Sequence, residues 1–130
     1  MTIKSFEDLE CWKEARKFVK MVYDSINSSE RFKKDYRLRD QATSAAVSSM
    51  SNIAEGFSRH SNKEFVQFLF ISKSSAAEVQ SIFYVAMDQE YISQEVFQGV
   101  YERAELVSKL DSGLIKYLNS KIKKTTQRTQ

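Results

Sequence analysis

The chain has 130 residues, 42% of them apolar and 28% charged, and a formal net charge of +3. This is the composition of one ordinary soluble domain with its own core, and so small a charge does not by itself imply nucleic acid. The lack of proline and the presence of only three glycines, Gly56, Gly99 and Gly113, exclude turn-rich β-sandwich and Rossmann-type architectures and leave a handful of long helices.

The first segment opens at Ser5-Phe6-Glu7-Asp8, which has the form of a capping sequence. From there Leu9, Trp12, Ala15, Val19, Val22 and Ile26 recur at the helical period. Ser28-Ser29 breaks this pattern, and a polar connection is expected through Lys34. A second helix is expected from Tyr36 to Phe57, with Leu38, Ala42, Ala45, Ser49, Ile53 and Gly56 on its inward face. A stripe of such small residues lets helix axes approach closely.

Ser61-Asn62-Lys63-Glu64 reads as a capping box, so a third helix begins near Asn62 and runs to about Gln89. Phe65, Phe68, Leu69, Val79, Ile82, Phe83 and Ala86 form its main face. Tyr91-Ile92 makes a short connection, Ser93 caps the fourth helix, and Val96, Val100, Val107, Leu110, Leu114 and Leu118 carry its stripe to about Asn119. Short connections imply antiparallel neighbours. The expected fold is an all-α, up-down-up-down four-helix bundle over residues 1–120, followed by a basic, disordered tail over 121–130.

Val66, Phe70, Ala77 and Tyr84 fall on a second face of the third helix, and Phe97 and Tyr101 widen the stripe of the fourth. These residues either wrap the edge of the core or form a subunit interface. Cys11 is the only cysteine, no apolar leader pattern follows Met1, and apolar runs such as Phe68-Leu69-Phe70-Ile71 are too short to cross a bilayer. A cytoplasmic protein is expected.

Catalytic patterns are missing. His60 is the sole histidine, the paired Glu-x-x-His motifs of di-iron bundles do not occur, and neither a phosphate-binding glycine loop nor a Gly-x-Ser-x-Gly elbow is found. The expectation is no enzyme, no metal and no cofactor. Asn52 and Glu55, three residues apart on one helix face, are candidates either for a ligand contact or for a buried polar pair that fixes helix packing. Arg31, Lys33, Lys34, Arg37, Arg39, Arg59 and Lys63 are candidates for phosphate contacts, with Tyr36 and His60 interleaved for stacking on bases.

Phe6-Glu7-Asp8-Leu9-Glu10-Cys11-Trp12-Lys13-Glu14-Ala15, Ser51-Asn52-Ile53-Ala54-Glu55-Gly56-Phe57-Ser58-Arg59, Glu64-Phe65-Val66-Gln67-Phe68-Leu69 and Leu114-Ile115-Lys116-Tyr117-Leu118 resemble the 23S rRNA intervening sequence protein family. These are small bacterial four-helix bundle proteins, often labelled S23 ribosomal protein. The resemblance implies no catalytic residues, and it makes Asn52, Glu55 and Gly56 a structural signature. A related group, the accessory protein of diversity-generating retroelements, forms a positively charged pentameric barrel that binds nucleic acid and reverse transcriptase. Carried over, it implies a ring-like homopentamer. Thr43 and Ser44 stand where family members often carry two arginines, and Met50 where a proline is common. The first departure removes two cations per subunit and weakens phosphate binding. The expected function is low-specificity binding of RNA or DNA phosphates by a homo-oligomer; the alternative is an oligomeric scaffold that docks a protein partner.

Overall fold

The computed structural model describes residues 2–129, and side chains as far as residue 125. The described chain is all helical. A 3-10 turn, Phe6–Asp8, precedes α1 (Glu10–Asn27), α2 (Glu30–Lys34), α3 (Tyr36–Phe57), α4 (Asn62–Asp88) and α5 (Gln94–Thr129). α3 packs on α4, α4 on α5, and α1 on both α3 and α5, so the four long helices enclose one core.

Local chemistry accounts for most of the boundaries. The Asp8 carboxylate accepts the backbone N–H groups of Lys4 and Ser5 at 3.0 and 3.2 Å. The capping residues at Ser5 therefore hold a single 3-10 turn, and the α-helix itself starts at Glu10. Ser61 Oγ accepts from the Glu64 N–H at 3.2 Å and Ser93 Oγ from the Val96 N–H at 3.1 Å, the bonds expected of N-caps. At the end of α4 the Tyr91 N–H bonds to the Ala86 carbonyl and the Glu90 N–H to that of Met87. This is a Schellman ending, closed by Glu90 at φ 60°.

Two expectations at the ends of the elements are corrected. The stretch read as a polar connection through Lys34 holds the short helix α2, capped by Ser29, and it plants Phe32 fully in the core. There the Phe32 ring meets Phe83 edge-on at 5.8 Å and Tyr91 at 5.6 Å. The fourth sequence segment does not stop near Asn119: α5 continues to Thr129. No proline or glycine follows Gly113 to end it.

The small inward stripe of α3 is observed as read, with Ala42, Ala45, Ser49, Ile53 and Gly56 buried and Leu38 packed against the core. On α1 the centre of the face lies at Ala15, Phe18 and Val22, all fully buried, while Trp12 and Val19 sit at its edge. On α5 Val96 is exposed, whereas Phe97, Ala104, Asp111 and Ile115 are buried.

Candidate nucleic-acid interface and a buried polar cluster

The seven cations singled out in the sequence do not form one site. Arg31, Lys33, Lys34, Arg37 and Arg39 surround the α2–α3 junction, whereas Arg59 and Lys63 flank the turn from α3 to α4. The 22 residues of α3 put about 33 Å between these groups. At the first end the Arg31 guanidinium lies 5.2 Å from the Tyr91 ring and that of Arg39 4.8 Å from the Tyr36 ring. Lys33 pairs with Glu30 at 2.7 Å, and Arg39 with Asp40 at 3.1 Å. Lys34 and Arg37 are exposed, as is Tyr36. At the second end Arg59 lies 4.7 Å from the Phe68 ring and borders Tyr117 and Leu118 of α5 in a shared surface groove.

The junction with α2 has an anchor that the sequence does not reveal. Asp35 caps α3 through the Leu38 N–H at 3.2 Å and accepts the Tyr91 hydroxyl at 2.9 Å on its other oxygen. One carboxylate thus ties the start of α3 to the turn between α4 and α5. The hydrogen bond to Asp35, more than burial, pushes the Tyr91 phenol above its ordinary value.

The signature segment splits. Gly56 is buried because α4 crosses directly over it: a Cβ there would lie 2.8 Å from Phe65 Cδ1 and 2.8 Å from Phe68 Cβ. Asn52 is half-buried and bonds within its own helix, donating to the Ser48 carbonyl at 2.8 Å and Ser48 Oγ at 3.0 Å. The link across to α4 is Ser48 Oγ to Ser75 Oγ at 2.9 Å. Glu55 is exposed, which corrects the reading of Asn52 and Glu55 as a buried pair.

The second stripe divides by what its residues pack against. Tyr84 is folded over the core edge, its ring 4.6 Å from Phe97 and 6.2 Å from Tyr101, and Val66 packs against the core. Phe70 and Ala77 are exposed.

Between α4, α5 and the first turn of α1 lies a buried polar cluster that periodicity hides. Asp111 of α5 is fully buried and accepts the Ser72 hydroxyl of α4 at 2.6 Å. Cys11 of α1, also buried, faces the same carboxylate, while Asp111 Oδ1 has no hydrogen-bond partner of ordinary geometry. Burial pushes the Asp111 carboxyl up to about 7, against the hydrogen bonds from Ser72 and Cys11 and the charge of Lys73. Burial, then the neighbouring Asp111 charge, pushes the Cys11 thiol up to about 12. A sealed thiol of this kind is a poor nucleophile. Among the described residues no group of three or more His, Cys, Asp or Glu is placed to hold a metal ion, and no helix is long and apolar enough to cross a membrane.

Residues 7–113 match the family model of the 23S rRNA-intervening sequence protein. The chain belongs to this family. No curated protein matches it. A solved structure from Bacteroides thetaiotaomicron VPI-5482, described as a protein of unknown function from the S23 ribosomal protein family, superposes with a TM-score of 0.75 at 20% identity, over 82% of this chain and 98% of that one. At that identity the likeness is one of fold. The span that marks the chain as an intervening sequence protein contains Gly56 and the Cys11–Ser72–Asp111 cluster, while the cationic end of α5 beyond residue 113 lies outside it.

Proposed function

We propose that this member of the 23S rRNA-intervening sequence protein family is a non-enzymatic, nucleic-acid-associated protein that holds RNA or DNA phosphates with little sequence preference. In this reading the four long helices form an up-down-up-down bundle that assembles as a ring-like homopentamer in the cytoplasm. The observation that carries it is the end of α5. After Asp111 the chain has Lys116, Lys121, Lys123, Lys124 and Arg128 and no acidic residue, on a helix that continues to Thr129, past Leu118, the last buried side chain among the described residues. Arg59 and Lys63 border the same end of the molecule. Symmetric assembly would repeat this positive surface around an axis and strengthen its field. The test is binding of generic RNA and DNA across a salt series. Affinity should fall steeply as salt rises, because released counterions drive phosphate binding; no binding at low ionic strength would sink the reading.

A second reading, an oligomeric scaffold that docks a protein partner, draws on the outer face of α4. Phe70, Ile71, Tyr84 and Val85 are 51%, 46%, 49% and 44% exposed, and between Phe65 and Met87 only Lys73 and Glu78 are charged. A face this apolar suits a contact with another subunit or partner. Light scattering on a size-exclusion column, with Phe70→Glu beside the parent chain, tests the assembly: the parent should elute as an oligomer that the substitution dissociates, and a monomeric parent would remove the ring.

A further inference from the structure

Lys13, Arg16, Lys17 and Lys20 stand at i, i+3, i+4 and i+7 of α1, the spacing that puts four side chains on one helix face. Together with Arg103, which reaches over from α5, they line a groove of about 650 Å³ that Trp12, Glu14 and Glu10, the last paired with Lys13 at 3.4 Å, also border. The indole is half-buried, braced edge-on by Phe6 at 5.1 Å, and the Arg16 guanidinium lies 6.0 Å from its centroid. Glu14, an acidic member of the lining, is already engaged: it accepts from Arg103 and lies 3.4 Å from Lys17. Against the upward push of burial, hydrogen bonds from Arg103 and then Lys17 hold its carboxyl below the usual range. Its role is to fix Arg103 at the groove. Lys17 and Lys20 remain 63% and 75% exposed, and exposed ion pairs of this kind are weak enough for a polyanion to displace.

We propose that this groove binds single-stranded nucleic acid, with phosphates along the Lys13–Lys20 stripe and an unpaired base stacked on Trp12. The inference rests on the nucleic-acid reading above and deepens it. The indole selects the ligand class. A duplex keeps its base faces stacked inside the helix, and an acidic peptide has no base to stack; an unpaired strand offers both phosphates and a free aromatic face.

Trp12 is the only tryptophan in the chain, so intrinsic emission reports on this groove alone. The protein is titrated at low salt with a labelled single-stranded oligonucleotide, its duplex form and polyglutamate, following anisotropy and tryptophan emission together. The single strand should bind and quench Trp12, with weaker quenching by the duplex and by polyglutamate. A triple variant, Lys13→Gln, Lys17→Gln and Lys20→Gln, changes exposed side chains only. It should lower single-strand affinity about tenfold and flatten the slope of log K against log salt by about 2. Binding without quenching, and unchanged in the triple variant, would overturn the groove while leaving the nucleic-acid reading in place. Equal quenching by polyglutamate would assign the groove to an acidic protein instead. Failure of every nucleic acid to bind would overturn both proposals.

Discussion

Ser72 of α4 donates a 2.6 Å hydrogen bond to Asp111 of α5 at a point where both residues are fully buried. α3 adds no ionisable group to this layer between Asp40 and Glu55, so the titratable neighbours acting on Asp111 are Cys11 and Lys73. A buried carboxyl joined to one helix and facing another makes the packing of α1, α4 and α5 sensitive to its ionisation.

Stability should therefore depend on pH through Asp111. Its folded value, about 7, lies above the ordinary 3.8, so between those limits the native state binds more protons than the unfolded state and stability falls as pH rises. The contribution is complete below the unfolded value and lost through about pH 7. Urea denaturation of the parent chain should show a falling midpoint from about pH 5 to about pH 8. Asp111→Asn should remove most of that slope, a difference on the order of a few kcal/mol at the upper end. An unchanged slope would place the titration elsewhere.

Cys11 should be inert in the native protein. Its thiol is buried and pushed up to about 12, and the thiolate is the reacting form. At pH 8 a thiol-specific disulfide reagent should modify the folded chain on the order of a thousandfold more slowly than the urea-unfolded chain. Rapid native labelling would show that the cluster opens to solvent.

Gly56→Ala should destabilise despite the better helix propensity of alanine. The added methyl would meet Phe68 Cβ and Phe65 Cδ1 at 2.8 Å, and Phe68 Cβ cannot move without its backbone. Overpacking costs about 1–3 kcal/mol against a propensity gain of at most about 1 kcal/mol, so a net loss of about 1–2 kcal/mol is expected in thermal or urea unfolding. A neutral outcome would mean that α4 can back away from α3.

Within the signature, Ser48 and Glu55 should separate. Ser48→Ala removes the bond to Ser75 and one partner of Asn52 and should cost about 1 kcal/mol. Glu55→Gln changes an exposed side chain and should stay within about 0.5 kcal/mol of the parent. The reverse order in urea midpoints would restore Glu55 as the structural residue.

Glu90→Gly should stabilise the turn after α4. Glu90 holds the left-handed position of the Schellman ending at φ 60°, where glycine avoids the Cβ penalty of about 1–2 kcal/mol. Part of that gain is offset by the entropy glycine adds to the unfolded chain, leaving a rise of about 0.5–1 kcal/mol. A loss of stability would mean that the Glu90 side chain contributes more than its backbone costs.

Much of the architecture was legible from local signals. Ser61 and Ser93 marked helix starts that the structure confirms with hydrogen bonds, and the small stripe from Ala42 to Gly56 marked the face that meets α4. These features depend on a few neighbouring residues and on the 3.6-residue period, which one chain segment carries by itself. Phe32 escaped because a five-residue helix is too short to display a period. Asp111 escaped because a charged residue among apolar neighbours reads as the edge of a stripe until Ser72, 39 residues away in sequence, is brought against it.

The sequence by itself determined that the chain is helical, where three of its four long helices begin, and which family it belongs to, because composition, caps and periodicity are local properties. Only the tertiary structure decided which polar residues are inside. Asn52 and Glu55 share a helix face, but α4 packs over Gly56, about 100° further round from Glu55, so Glu55 is left in solvent. The same packing carries Arg59 and Lys63 to the opposite end from Arg31 and seats Asp111 between helices. Burial depends on what a neighbouring helix covers, and a single strand of sequence does not contain its neighbour.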